Sequence, residues 1–210
     1  MALRWGYMGT GRIAEIVAKD FALSGLKIQA VGSRNLSSAQ EFASRHNIPD
    51  IHGSYEDIVY ISTLNHLHCD TALLAINAGK HVLLEKPFTM NAAEARAIQT
   101  AAKAQGVFVM EAMWTRFLPV MDAVFSIIHK GTIGTPHTVM GDHSQYLPPE
   151  VSARLWNKSQ GGGALLDLGI YPISFATRVL GMPDVVKAVG RLKDGVDEAT
   201  SLVFGYDNGS

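Results

Sequence analysis

A short apolar run, Leu3 to Met8, is followed at once by Gly9-Thr10-Gly11-Arg12-Ile13-Ala14, and this junction limits the fold more than any other stretch of the chain. It fits the pattern G-x-G-x-x-G/A between a strand and a helix. The glycines there allow a tight turn and let a pyrophosphate approach backbone N–H groups at a helix N-terminus. Gly9, Thr10, Gly11, Arg12 and Ile13 are therefore the first candidate cofactor-binding residues. A chain that opens in this way is expected to continue as βαβ units around a parallel sheet.

The following sequence keeps that alternation. Ile13, Ile16, Val17 and Phe21 recur at helical spacing, and Lys27 to Gly32 reads as a second strand. An Ala-rich helix over 36–46 precedes a third strand, Val59 to Thr63. A helix over 69–78 stops at Gly79, and His81 to Leu84 is a fourth strand. Asn91 with Glu94 three residues on starts a helix over 91–105, and Val107 to Met110 is a fifth strand. The pattern changes near residue 115. Pro119 opens a helix to His129, and segments 136–146, 185–193 and 199–206 read as strands, the last two joined by a turn at Lys193-Asp194-Gly195. The expected architecture is α/β: an N-terminal dinucleotide-binding domain over 1–115, and over 116–210 a partial substrate-binding α+β domain with an open antiparallel sheet.

Composition narrows the function. The 210 residues carry 18 Lys+Arg against 19 Asp+Glu, so nothing in the charge balance calls for nucleic acid or an anionic membrane. No apolar run approaches the roughly 18 residues of a membrane span, and the N-terminus lacks the blocks of a signal peptide. A soluble, cytoplasmic protein is expected. The single cysteine, Cys69, rules out an internal disulfide framework. His66 and His68 follow a strand end without the clustered carboxylates or thiols a metal site needs, so no metal is expected.

Cofactor choice is read at the end of the second strand, where an Asp or Glu would bind the ribose hydroxyl of NAD. Gly32-Ser33-Arg34-Asn35 has no carboxylate, and Ser33 with Arg34 suits a 2′-phosphate, so NADP is favoured over NAD. Glu85-Lys86-Pro87 ends the fourth strand at the carboxyl edge, where doubly wound sheets hold ligands, and Pro87 restricts how Lys86 is presented. A cis Lys86–Pro87 peptide is compatible with this motif. Further on, Asp167 and Tyr171 fall one turn apart if 167–172 is helical. A phenol with an ordinary pKa near about 10 exchanges protons at neutral pH only when its anion is stabilised, and an ammonium such as that of Lys86 can do so.

Gly9 to Ala14, Glu85-Lys86-Pro87 and Asp167-Leu168-Gly169-Ile170-Tyr171-Pro172, in this order, resemble the Gfo/Idh/MocA oxidoreductases, a Rossmann domain followed by an open-faced α+β domain. The run Glu111 to Phe117, with Tyr171, is similar to the branch that contains dihydrodiol dehydrogenases and NADP-dependent D-xylose dehydrogenases. The resemblance implies hydride transfer between a sugar or dihydrodiol hydroxyl and NADP, with Tyr171 as general base, Lys86 lowering its pKa and orienting the hydroxyl, and Asp167 supporting the pair. It places Trp114, Arg116 and Phe117 in the substrate pocket and Thr63, Asn65, His66 and Glu85 near the cofactor, and it implies a homodimer of the full-length chain. A catalytically silent NADP(H)-binding sensor of the same fold, or a truncated inactive form, remains the alternative. Two departures stand out. If Ile51-His52-Gly53 is a strand, only Ser54 to Ile58 separate it from Val59, whereas a parallel crossover takes about a dozen residues. Relatives also continue past the position of Ser210 with further strands, so a shortened chain is expected.

Overall fold

The computed structural model describes residues 4–33, 35–51 and 58–207, with only the backbone considered at Ile58. It divides into two compact units, residues 1–112 and 113–210.

The first unit is a doubly wound parallel sheet. Its strands are β1 (Trp5–Met8), β2 (Ile28–Gly32), β3 (Ile58–Ile61), β4 (His81–Glu85) and β5 (Val109–Ala112), in the spatial order β2-β1-β3-β4-β5. All four pairings are parallel. Helices α1 (Arg12–Leu23) and α2 (Leu36–His46) cover one face, and α3 (His68–Asn77) and α4 (Ala92–Gln105) the other. Alternation along β3 shows why both faces must be covered. Tyr60 packs with Tyr7, Phe21 and Phe42 under α1 and α2, whereas Val59 and Ile61 pack with Ala72, Ile76, Val82 and Ile98 under α3 and α4.

Helix ends follow local chemistry. Asn35 caps α2 by accepting from the Ser37 N–H at 3.0 Å. Asn91 accepts from the Glu94 N–H at 3.0 Å while Glu94 Oε2 accepts from the Met90 N–H at 3.1 Å, close to a reciprocal capping box.

Before β3 the structure describes the chain as far as Ile51. Asp50 makes a single parallel bridge to Ala30 on the outer side of β2, with Val31 N–H donating to the Asp50 carbonyl at 2.9 Å. Ile51 is not in a strand, and the rest of the strand considered at 51–53, with the residues up to Asp57, lies outside the described residues.

The second unit contains α5 (Pro119–His129), α6 (Pro149–Ser152), short 3-10 turns, a π-helical turn over Leu165–Gly169, α7 (Ile170–Leu180), and a hairpin of β6 (Val185–Lys193) and β7 (Val196–Gly205). Asp194 and Gly195, at φ 53° and 78°, make the two-residue hairpin turn expected there. One expectation fails: 136–146 is not a strand. Its composition is β-like, but β6 and β7 pair with each other and no other described strand joins their sheet. Met140 and Tyr146 are left 92% and 91% exposed on an irregular backbone. By length and composition, Lys158–Leu180 could cross a membrane, which the sequence reading did not anticipate. The chain turns at Gly161 and Gly163, with φ 74° and 130°, and the helical remainder holds Asp167 and Arg178.

Candidate functional site

The phosphate loop lies where the sheet order reverses, between the carboxyl ends of β1 and β3, the usual ligand crevice of such sheets. Gly9 has φ 106°, and a Cβ there would sit 2.9 Å from the Ser62 carbonyl oxygen, so only glycine lets the loop pass this close to β3. Gly11 opens α1 at φ −78° with no side chain capping it, and a Cβ there would meet nothing within 4 Å. Arg12 and Ile13 are exposed on the first turn. The loop therefore offers open space at a helix N-terminus where anions are favoured.

Two neighbouring elements complete this edge. After β2, Ser33 Oγ accepts from the Asn35 N–H at 3.3 Å; Arg34 lies outside the described residues. After β3, a 3-10 turn over Asn65–Leu67 buries Asn65. Thr63 Oγ1 and His66 Nδ1 are buried there without a hydrogen-bond partner among the described residues. A buried polar atom left in this way is costly unless something else satisfies it. The open glycine turn and these two groups fit a dinucleotide, for which Gly9, Thr10 and Gly11 would hold the phosphates and Thr63 and His66 would lie beside it.

Lys86 follows β4, and its peptide bond to Pro87 is cis, in keeping with the sequence reading. Glu85 Oε1 accepts from the Tyr60 hydroxyl at 2.6 Å, and Glu85 Oε2 from the Lys86 N–H at 3.2 Å. Burial pushes the Glu85 carboxyl above its usual range, against the lowering effect of Tyr60 and Lys86, and nearby Glu111 adds to the rise. Burial and Glu85 together push the Tyr60 phenol up, so it stays a donor. Cys69 is likewise pushed up by burial, which makes a thiolate role unsupported.

In the second unit, Trp114 Nε1 donates to the Tyr171 hydroxyl at 2.9 Å, with the rings edge to face at 6.1 Å. His143 lies 5.0 Å from the same phenol ring. Arg116 Nε donates to Ser174 Oγ at 2.8 Å. A cavity of about 260 Å³ is lined by Thr115, Arg116, Phe125, His143, Tyr171 and Arg178. Phe117 is 62% exposed. Asp167 is buried in the π turn and accepts from Arg154 Nη2 at 3.3 Å.

Within the first unit, the structure gathers Gly9, Ser62 and the 63–66 turn on one edge, with Glu85 and Lys86 at the end of β4. Within the second, it joins Trp114 to Tyr171. Sequence reading weighed His68 only as a metal ligand and Glu111 only within a motif run, and gave no role to these two or to His143 and Arg154. The first two were visible as polar residues inside apolar surroundings, but their partners are distant in sequence.

Known proteins share the sequence pattern and the fold. The GFO_IDH_MocA profile, described as an oxidoreductase family with an NAD-binding Rossmann fold, matches residues 3–113, and the GFO/IDH/MocA C-terminal domain matches residues 121–210. The chain belongs to the Gfo/Idh/MocA oxidoreductase family. Among its relatives, mouse trans-1,2-dihydrobenzene-1,2-diol dehydrogenase is 40% identical over 223 residues, an alignment that covers 100% of this chain and 66% of that protein. The chain thus spans somewhat under two thirds of the relative's length. Among solved structures, an NAD binding oxidoreductase from Klebsiella pneumoniae superposes with a TM-score of 0.87 at 26% identity, covering 100% of this chain and 64% of that one. A 3-ketoreductase from Actinomadura kijaniata, in complex with NADP and TDP-benzene, gives a TM-score of 0.80 at 26% identity, covering 100% and 68%.

Proposed function

We propose that this protein is an NADP-dependent dehydrogenase that oxidises a secondary or anomeric hydroxyl of a small sugar or diol. The observation that carries the reading is the edge formed by Gly9, Thr63 and His66, an open glycine turn beside two buried, unsatisfied polar atoms. Relatives named for diol oxidation support the substrate class. Preference for NADP rests on Gly32-Ser33-Arg34-Asn35, which has no carboxylate for a ribose hydroxyl and offers a hydroxyl and a guanidinium for a 2′-phosphate.

When bound, the nucleotide supplies hydride acceptance. The chain supplies the rest. Tyr171 takes the hydroxyl proton as general base, Lys86 presents positive charge to the reacting oxygen, and Asp167 supports them. Trp114, Arg116 and Phe117 bound the substrate. Tyr171→Phe removes the proton acceptor, and its expected effect is a loss of about 10²–10⁴-fold in turnover with NADPH binding retained. The assay is NADPH fluorescence across pentoses, hexoses and aromatic dihydrodiols, with Lys86→Met alongside. Unchanged turnover in both variants would overturn the reading, and NADPH binding without turnover on any substrate would favour a binding-only protein.

A further inference from the structure

We propose that Glu111 and His68 are positioning residues for Lys86: from β5 and α3 they fix the backbone of Lys86-Pro87-Phe88 and thereby the place of the ammonium. This inference rests on the reading of Lys86 as the cation of the proposed reaction. Three successive backbone groups of the segment are each met by a side chain. The Lys86 N–H donates to Glu85 Oε2 at 3.2 Å, the Pro87 carbonyl faces His68 Nδ1 at 2.7 Å, and the Phe88 N–H donates to Glu111 Oε1 at 2.8 Å. The side chains are themselves tied elsewhere. Glu85 is held by the Tyr60 hydroxyl at 2.6 Å, and His68 Nε2 lies 3.1 Å from the Thr63 carbonyl.

The arrangement is buried and crosses four elements. His68 is 1% exposed and Pro87 is among the most buried side chains of the protein. Phe88 packs against the core under α3 and α4. A lysine side chain has four rotatable bonds, so its ammonium is localised only as well as its Cα is. Fixing the groups at 86, 87 and 88 removes the backbone freedom that would otherwise add to the side chain's own. His68 also joins this segment to the carbonyl of Thr63, whose hydroxyl is one of the two unsatisfied groups of the cofactor edge. The positions of the cation and of that edge are therefore linked through one imidazole.

The test reads the clamp in the unliganded chain first. Glu111→Leu is expected to speed amide exchange at Phe88 by about tenfold or more, the consequence of losing one charge-assisted bond, while Val109 in the same strand is unchanged. In the same variant and in His68→Leu, acylation of Lys86 by a lysine reagent changes rate against Lys80 as internal reference. Glu111→Gln and His68→Asn keep an acceptor and a donor at the required places and restore both readouts. Glu111→Asp, which withdraws the oxygen by one methylene, gives smaller changes in the same direction and serves if the leucine variant does not fold. Faster Phe88 exchange with unaltered Lys86 labelling overturns the proposal, because the clamp would then be only structural. In turnover, Glu111→Leu lowers kcat more than it raises KM, and the loss vanishes in a Lys86→Met background. A loss that persists there also overturns it. If Lys86→Met alone leaves turnover intact, the fault lies in the reading of Lys86, and that outcome is distinct from both others.

Discussion

Gly9 and Gly11 share a motif but face opposite constraints, and substitution separates folding from binding. At Gly9 a methyl group meets the Ser62 carbonyl at 2.9 Å and the residue sits at φ 106°, so Gly9→Ala should cost about 1–3 kcal/mol, seen as a lowered Tm without ligand. At Gly11 nothing lies within 4 Å and φ is −78°, so Gly11→Ala should leave Tm nearly unchanged. The added methyl would stand where a pyrophosphate approaches the helix, and NADPH affinity should fall by about tenfold or more, roughly 1.4 kcal/mol. Trp114 makes a similar case within the second unit. Its indole N–H donates to Tyr171 at 2.9 Å. Trp114→Phe keeps an aromatic ring and removes that donor, so kcat should drop by about tenfold, the scale of one hydrogen bond to a reacting oxygen, with NADPH affinity held. A fall in NADPH affinity equal to the fall in kcat would show that Trp114 acts on folding or cofactor binding instead.

Helix α3 brings His68 between two carbonyl groups, and its titration gives the element a pH signature. Two facing carbonyls favour the imidazolium, but burial at 1% exposure prevails and holds the ring below the usual imidazole range. The unfolded chain then takes up the proton first. Stability is complete above about pH 6.5, the unfolded value, and is lost as pH falls through the folded value. His68→Asn should flatten this part of the stability profile relative to the parent, measured by urea unfolding between about pH 7 and 5. Much of this unit was legible in the sequence, because local pattern signals it: Asn91 as a cap, Gly79 as a stop, and short strand-like runs alternating with apolar residues at helical spacing. The clamp on Lys86 was not legible, since Glu111 and Phe88 are 23 residues apart and nothing local to either names the other. Segment 136–146 misled for the converse reason. Its residues favour a strand, but a strand exists only with a partner, and partners are a tertiary fact. The π turn that carries Asp167 has no local signal either, as its composition equally suits an α-helix.

Across the whole molecule, buried apolar side chains are distributed unevenly. Among the described residues, all of them except Met113, Phe125 and Val196 lie in the first unit. Cofactor binding, proposed for that same unit, should therefore appear as added stability of its core. With 18 cationic against 19 anionic side chains the chain carries no net positive charge to draw in an anionic nucleotide, so selectivity between NADPH and NADH is expected to come from a few local groups. Ser33 and Arg34, which follow β2 in the sequence, are the groups proposed for that role. A guanidinium on a phosphate contributes about 1.5–3 kcal/mol, which corresponds to about a ten- to hundredfold change in Kd. Arg34→Ala should weaken NADPH by that factor and leave NADH almost unaffected. Because a ligand at about a hundred times its Kd adds about 2.7 kcal/mol to stability, the difference is readable as thermal shift without a substrate in hand. NADPH should raise the Tm of the parent well above the effect of equimolar NADH, and Arg34→Ala should bring the two shifts together. Equal shifts in the parent would mean that Arg34 makes no contact with a 2′-phosphate, and the preference for NADP would fall with it.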